Sequence, residues 1–441
     1  MAKRRRWLRW TLGTAAVVLV AAVVTPFLVP LDSFVPRVSA EASTAIGQPV
    51  SIADLKLHLL PTPRVAAHGV RVGKRDEVRI EELQIVPDLL ALLRGERALR
   101  LVRAEKVEIK EAALKIVEKM PKGGTPMAVR RVALMDVHLQ HSALRLPAFN
   151  LEADLGEALA IEGIRLESLD GAMKVHLDPE GAGKARVLLT AVKWRLPLAA
   201  APLVFDSLTA SGTLAGKRLE LPEIDGRLYG GALKGRASAD WQKLWQLSGR
   251  AQLSAIDIAG VQQALGRKAQ LTGRLAVSTK FSAAARGPEQ LAGALALDGP
   301  FEVSGGAFHG VDLTKVADLT GSRGEGGATK FDELRGKLQV RGKRVRVEEL
   351  CARSSALVAG GFVEVDPQQQ LSGRMGVSVA KTGGFAGVPV ALSGTTENPV
   401  VRPTKGYTIG AVVGTVLLPG VGTALGGSAG GAMEGRPANC R

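Results

Sequence analysis

Between Leu271 and Phe281 the chain alternates with a period of two. Leu271, Gly273, Leu275, Val277, Thr279 and Phe281 fall on one side, and Thr272, Arg274, Ser278 and Lys280 on the other. That spacing belongs to a β-strand with one apolar and one polar face, and no helix can use it. From Ala128 onward the text is a long succession of such short strands. A small phrase recurs through it: Leu247-Ser-Gly-Arg250, Leu271-Thr-Gly-Arg274, Leu291-Ala-Gly293, Leu371-Ser-Gly-Arg374 and Leu392-Ser-Gly394. Each copy is expected to open an alternating run, its glycine marking a bend or bulge where the sheet coils. Loose repetition of strand phrases predicts an elongated sheet rather than a closed globule. Aromatics make up only 4% of the chain against 52 glycines, so its apolar surface must come from small aliphatics.

The N-terminus sets the topology. Lys3, Arg4, Arg5, Arg6 and Arg9 precede an uncharged run, Trp10 to Leu31. At the helical rise this run covers about 33 Å, enough for a bilayer core of about 30 Å. Basic residues flanking a first span stay cytoplasmic. The expectation is therefore a single-pass inner (plasma) membrane protein with residues 1–9 in the cytoplasm, a transmembrane helix over 10–31 and the bulk of the chain in the periplasm. A cleaved signal peptide is the alternative, with Val38-Ser39-Ala40 as a small-residue cleavage site; Pro26 and Pro30 ending the run argue for a retained anchor.

Residues 32–118 read as a short helix followed by the start of a sheet. Asp32 or Ser33 can cap a helix with Phe34, Val38, Ala42 and Ile46 on one stripe, ended by Gly47. Strand-like alternation from Val50 to Leu59 slips once near Asp54, and a second strand spans Val78 to Ile85. Pro87-Asp88 opens a helix through Leu93 that stops at Gly95. Further strands are expected around Leu99 to Val102 and Val107 to Ile116. Residues 119–127 form a linker or loop. The repeat region runs over 128–400, with short helices at Asp257 to Leu265 and Val311 to Leu319 and a flexible loop at Gly321 to Thr329. The tail, 401–441, is Gly-rich and apolar. Gly406, Gly410 and Gly414 are spaced by four, as are Gly422, Gly426 and Gly430, which suits close helix packing in oligomerisation or shallow lipid contact.

The formal net charge is +16, and the basic residues are spread along the chain. An exported protein meets little nucleic acid, so attraction to anionic lipid headgroups is the better use of this charge, and no nucleic-acid partner is expected. Cys351 and Cys440 lack metal-ligand spacing, and no structural bridge is expected between them. His138 and His141 would point to opposite faces of a strand. The chain has no HExxH, G-x-S-x-G or Walker-type loop. Catalytic residues, cofactors and metals are therefore not expected, and an enzyme would have to assemble its site from distant residues. An apolar sheet face must be hidden, and helices to cover it are scarce. A gutter filled by lipid acyl chains is one solution; some 18 to 20 strands at about 4.8 Å would make it about 90 Å long.

Three segments carry a family resemblance: the N-terminal run with Leu31-Asp-Ser-Phe34 and Gly47-Gln-Pro-Val-Ser-Ile52; Asp225-Gly-Arg-Leu-Tyr-Gly-Gly-Ala-Leu-Lys-Gly-Arg236; and Gly299-Pro-Phe-Glu-Val-Ser-Gly-Gly-Ala-Phe-His-Gly-Val311. Gly387-Val-Pro-Val-Ala-Leu-Ser-Gly394 with Asn398-Pro399 adds a fourth. In this order they resemble the AsmA family of proteobacteria. The resemblance implies a mainly β protein: an N-terminal transmembrane helix, then an elongated, twisted antiparallel β-sheet groove, taco-like, with a few short helices. It implies phospholipid transport for outer-membrane biogenesis, with membrane phospholipids, envelope proteins or a homo-oligomer as partners. A non-conducting assembly or regulatory factor affecting the targeting of outer-membrane proteins is the alternative. The residues expected to line the groove are Leu253, Leu271, Leu275, Val277, Phe281, Val377 and Val379.

Overall fold

The computed structural model describes residues 31–59, 62–95, 98–113, 128–140, 146–196, 203–313, 325–379, 388–405 and 440. The expected span 10–31, apart from Leu31, lies outside them, as do the linker 119–127, His141 and the six spaced glycines of the tail. Among the described residues no helix is long and apolar enough to cross a membrane. The chain is mainly β, with 23 strands among the described residues, and it divides into two compact units at Arg186/Val187.

In the first unit a 3-10 turn, Leu31–Phe34, leads into helix α1, Val35–Ile46. Phe34, rather than Asp32 or Ser33, holds the N-cap position, and Gly47 ends the helix at φ 71°. Ala42 and Ile46 pack on Val50, Ala67, Val70 and Val72, whereas Phe34 and Val38 stay exposed. Only the second half of the expected stripe is therefore used. The expected slip near Asp54 is present. It splits one edge into β1, Val50–Ser51, and β2, Asp54–His58, both antiparallel to β3, Arg64–Val72.

Next come β4, Val78–Pro87, helix α2, Leu89–Leu93, and β5, Ala98–Lys110. Asp88 caps α2 by accepting from the Leu90 and Ala91 amides. Strand β5 replaces the two strands expected there, because a left-handed residue, Lys106 at φ 51°, carries the strand through its break in alternation. Strands β6, Ala128–Val129, and β7, Arg131–Gln140, both run parallel to β5, in contrast to the antiparallel pairing of β1 to β5. The connection over 111–127 makes this possible, since a parallel return needs about a dozen residues or more. Antiparallel β8, Phe149–Leu155, β9, Ile161–Ser168, and β10, Met173–Gly181, complete the unit.

Gly69, Glu81, Lys106 and Asp136 stand side by side on β3, β4, β5 and β7 and leave the ladder together. Gly69, Lys106 and Asp136 are left-handed. The crease lets apolar residues three apart share a face: Ala67 with Val70, Ala104 with Val107, Leu134 with Val137. A strict period of two would have turned half of them to solvent.

The second unit is an up-and-down antiparallel meander. After β11, Lys184–Arg195, which straddles the division, come β12, Val204–Ala215; β13, Arg218–Leu228; β14, Gly231–Asp240; and β15, Trp245–Asp257. Helix α3, Ile258–Ala264, leads to β16, Leu271–Ala285, and β17, Ala296–Val311. The last six are β18, Glu325–Arg341; β19, Arg344–Arg353; β20, Leu357–Val365; β21, Leu371–Val379; β22, Val388–Gly394; and β23, Pro399–Pro403. From β12 to β23 each strand pairs with the next. Of the recurring phrase, Leu271 and Leu371 open strands, Leu247 lies inside β15, Leu291-Ala-Gly293 forms a turn, and Leu392-Ser-Gly394 closes β22. Thr329, expected in a loop, lies within β18.

The meander curls at its C-terminal end, where β23 comes back to β17. The Gln270 Nε2 amide donates to the Glu397 carbonyl at 2.8 Å across this closure. Inside it Val303, Phe331, Leu334, Ala359, Val377 and Val390 form one core, each 2% exposed or less.

Candidate functional site

The apolar face of β12 to β17 is the candidate. The alternation seen in the sequence puts Leu253 directly opposite Val277, with Leu233 opposite Leu253 on the other side. The run then breaks: Ser254 and Ala255, the latter at φ 55°, form a bulge that returns Ile256 to the same face, opposite Leu275. Val303 and Phe301 continue the rows from Leu275 and Val277 onto β17. Phe281 lies across Gly249, its partner on β15, where a Cβ would strike the ring; Phe331 crosses Gly306 in the same way. Glycine opposite phenylalanine lets a large ring lie along the sheet, which accounts for part of the chain's unusual glycine content.

Burial along this face is graded. Leu233, Leu253, Leu275, Phe281 and Leu297 are half-buried and Ile256 and Val277 between them are buried, while Ser278, Lys280 and Arg250 on the other face are exposed. Toward β18 to β23 much of the same alternation is buried in the closed core, with Val347, Val363, Met375 and Leu392 partly buried against it. Helix α3 marks the border. Asp257 caps it by accepting from the Ala259 amide, and Ile258 packs against the core. Gln262 locks the helix to β16: its Nε2 donates to the Leu271 carbonyl at 2.5 Å and its Oε1 accepts from the Gln270 amide at 2.9 Å.

The residues expected to line a groove are thus split. Leu253, Leu275, Val277 and Phe281 come together on β15 and β16. Leu271, beyond the bend at Gly273, pairs with Phe308 and packs against the closed core. Val377 is a correction: it is fully buried between Ala359 and Val388, because the curl brings other strands over it. Val379 ends β21 opposite Leu357, and the description does not extend to its side chain. Leu233, Ile256, Leu297 and Phe301 were missed. The signal for Ile256 was the three-residue step from Leu253, which reads as a break in a strand unless a bulge is allowed.

The opposite face carries charge. A depression of about 780 Å³ is lined by Gln252, Ser278, Glu302, Arg335 and Lys337, and Leu253, Val277 and Phe301 also border it. Lys337 donates to Glu349 at 2.7 Å, and that carboxylate holds the ammonium above its ordinary range. In the first unit the crease forms a smaller depression, where Glu81 raises Lys106 in the same way at 2.8 Å. His138 pairs with Asp136 at 2.9 Å and His68 with Asp54 at 2.6 Å. Among the described residues no three His, Cys, Asp or Glu side chains converge on a metal position.

Cys351 and Cys440 form a disulfide with Cα atoms 5.3 Å apart, which corrects the expectation that they stay unbridged. Cys351 lies on the polar side of β19 beside Arg335, so the penultimate residue of the chain is pinned there. Spacing along the sequence gave no hint of this, since a bridge depends on where the strand and the tail meet in space.

Searches against protein-family models, curated proteins and solved structures return no match to this chain.

Proposed function

We propose that this protein handles phospholipid in a bacterial envelope, offering the apolar face of β12 to β17 to acyl chains as an open groove. The observation that carries the reading is that Leu233, Leu253, Leu275 and Phe281 stay half-buried on one face, beside the buried Ile256 and Val277, with an exposed polar face behind them. Apolar side chains on a sheet that no second layer buries among the described residues keep a hydrophobic cost that a lipid chain would relieve, at about 25 cal/mol for each Å² covered. The resemblance to the AsmA family supports the same role and suggests outer-membrane biogenesis as its setting. The basic N-terminus and the uncharged run over 10–31 support an inner-membrane anchor with the sheet in the periplasm. The Cys351–Cys440 bridge supports an oxidising compartment. In this role the protein is not an enzyme: the sheet supplies surface rather than reacting groups.

The test is photocrosslinking in cells, with the reactive side chain at Leu253 or Leu275 on one face and at Gln252 or Ser278 on the other. Phospholipid adducts are expected from the first pair alone. Adducts of equal yield from both faces, or none from Leu253 and Leu275 in folded protein, would overturn the groove and favour the assembly-factor alternative.

A further inference from the structure

The second unit carries a row of like charges with no ion-pair partner among the described residues. Arg236 on β14 stands directly opposite Arg250 on β15, and Arg250 directly opposite Lys280 on β16. Opposed residues on neighbouring strands hold their Cβ atoms about 4.5–5.5 Å apart, and like charges so placed destabilise a sheet. Lys234 lies on the adjacent row, opposite Gln252, which itself faces Ser278. None of these four cationic side chains forms an ion pair or hydrogen bond among the described residues. Acids occur only at the two ends of the row. Glu223 lies in the bulge of β13 opposite Arg236, and Asp298 faces Lys280 but leans toward Arg341 at 3.9 Å. Arg250, in the middle, has a cation on each side.

Elsewhere the charged cross-strand pairs are complementary or, where like charges face each other, have partners within reach: Arg341 faces Arg344 with Asp298 at 3.9 Å and Glu364 at 3.7 Å, and Glu82 faces Glu105, which Arg103 reaches at 2.9 Å. Lys174 faces Glu167 at 3.0 Å, Arg131 faces Asp154 at 2.8 Å and Arg218 faces Asp240 at 3.7 Å. Where Arg71 faces Arg79, Asp76 lies within 4.0 Å and 3.2 Å of them. The unpaired row also borders a depression of about 520 Å³ lined by Lys234, Arg236, Arg250, Ser278, Lys280 and Asp298. Two guanidinium forks, two ammonium groups, a hydroxyl and an amide around one hollow form a donor set suited to phosphate oxygens.

We propose that this hollow, on the face opposite the apolar groove, binds a phosphate-bearing anion, either the diester headgroup of an anionic lipid or free phosphate. It is independent of the lipid-groove reading, because it uses the other face and different side chains. The test titrates the full chain in neutral detergent with glycerophosphoglycerol and, separately, with inorganic phosphate, followed by calorimetry. Arg236→Gln/Arg250→Gln/Lys280→Gln is expected to weaken binding about tenfold or more. A second triple, Arg131→Gln/Lys174→Gln/Arg344→Gln, removes the same charge from acid-paired positions and is expected to bind as the unaltered chain does. Tighter binding of glycerophosphoglycerol identifies the source as a lipid headgroup; tighter binding of phosphate identifies the free ion, and either supports the site. Without ligand, the first triple should melt no lower than the unaltered chain, since it relieves repulsion. No binding of either probe, or an equal loss in both triples, overturns the proposal.

Discussion

Leu253 and Val377 occupy equivalent places in the strand alternation, yet the structure assigns them opposite tolerances. Val377 is fully buried in the closed core, with Val390 and Ala359. Val377→Ala removes two buried methyl groups, about 1.6 kcal/mol of transfer free energy. With the cavity left behind, the cost rises to about 2–3 kcal/mol. For a unit of this size that lowers the melting temperature by about 4–12 °C. Leu253 is half-buried, and truncating it leaves a dent open to solvent rather than a sealed void. Leu253→Ala should therefore cost about 1 kcal/mol, well below the usual range for a buried leucine. Aspartate widens the contrast. At 377 a carboxylate would be buried without a partner, at a cost of several kcal/mol out of a total stability of about 5–15 kcal/mol. At 253 the carboxylate can turn to water. Thermal unfolding followed by tryptophan fluorescence reads this directly, because Trp194, Trp241 and Trp245 all lie in the second unit. If Leu253→Ala is as costly as Val377→Ala, or Leu253→Asp unfolds the unit, the face of β15 is covered and the open-groove argument fails.

Three further outcomes are expected. Gly273→Ala should destabilise the second unit by about 1–3 kcal/mol, because Gly273 sits at φ 129° with the Val303 side chain where a Cβ would go; an unchanged melting curve would show the bend is not needed. Purified protein should resist thiol alkylation until reduced, and Cys351→Ser should lower stability by up to about 4–5 kcal/mol, the chain-entropy value for cysteines 89 residues apart; free thiols in the unreduced protein would refute the bridge. Asp154 loses solvation, but Arg131 at 2.8 Å and Arg165 at 2.7 Å outweigh this and hold its carboxyl below the usual range. Its contribution is therefore complete above the unfolded value near pH 4 and is lost as pH falls through the lower folded value. Asp154→Asn should remove that part of the acid sensitivity, about 1 kcal/mol or less after screening, and an identical pH profile would count against the ion pair's role.

Local periodicity determined a good deal. The alternation from Leu271 to Phe281 specified a strand and its apolar face. Asp88 and Asp257 marked helix starts, Gly47 marked a stop, and the slip near Asp54 split an edge strand. Each is a short-range effect, fixed by side-chain direction or by a cap within a few residues. What only the tertiary structure decided depends on strands meeting. Lys106 and Asp136 read as polar interruptions until Gly69 and Glu81 line up beside them to form a crease. Leu253 and Val377 read alike, and only the return of β23 to β17 buries one and leaves the other half-buried. Arg236, Arg250 and Lys280 lie 14 and 30 residues apart and become one charged row through register alone. Cys440 finds Cys351 for the same reason. The sequence sets which side of a strand is apolar, because that is a property of neighbours along the chain. Which apolar side stays open depends on the curvature of the sheet, to which every strand contributes.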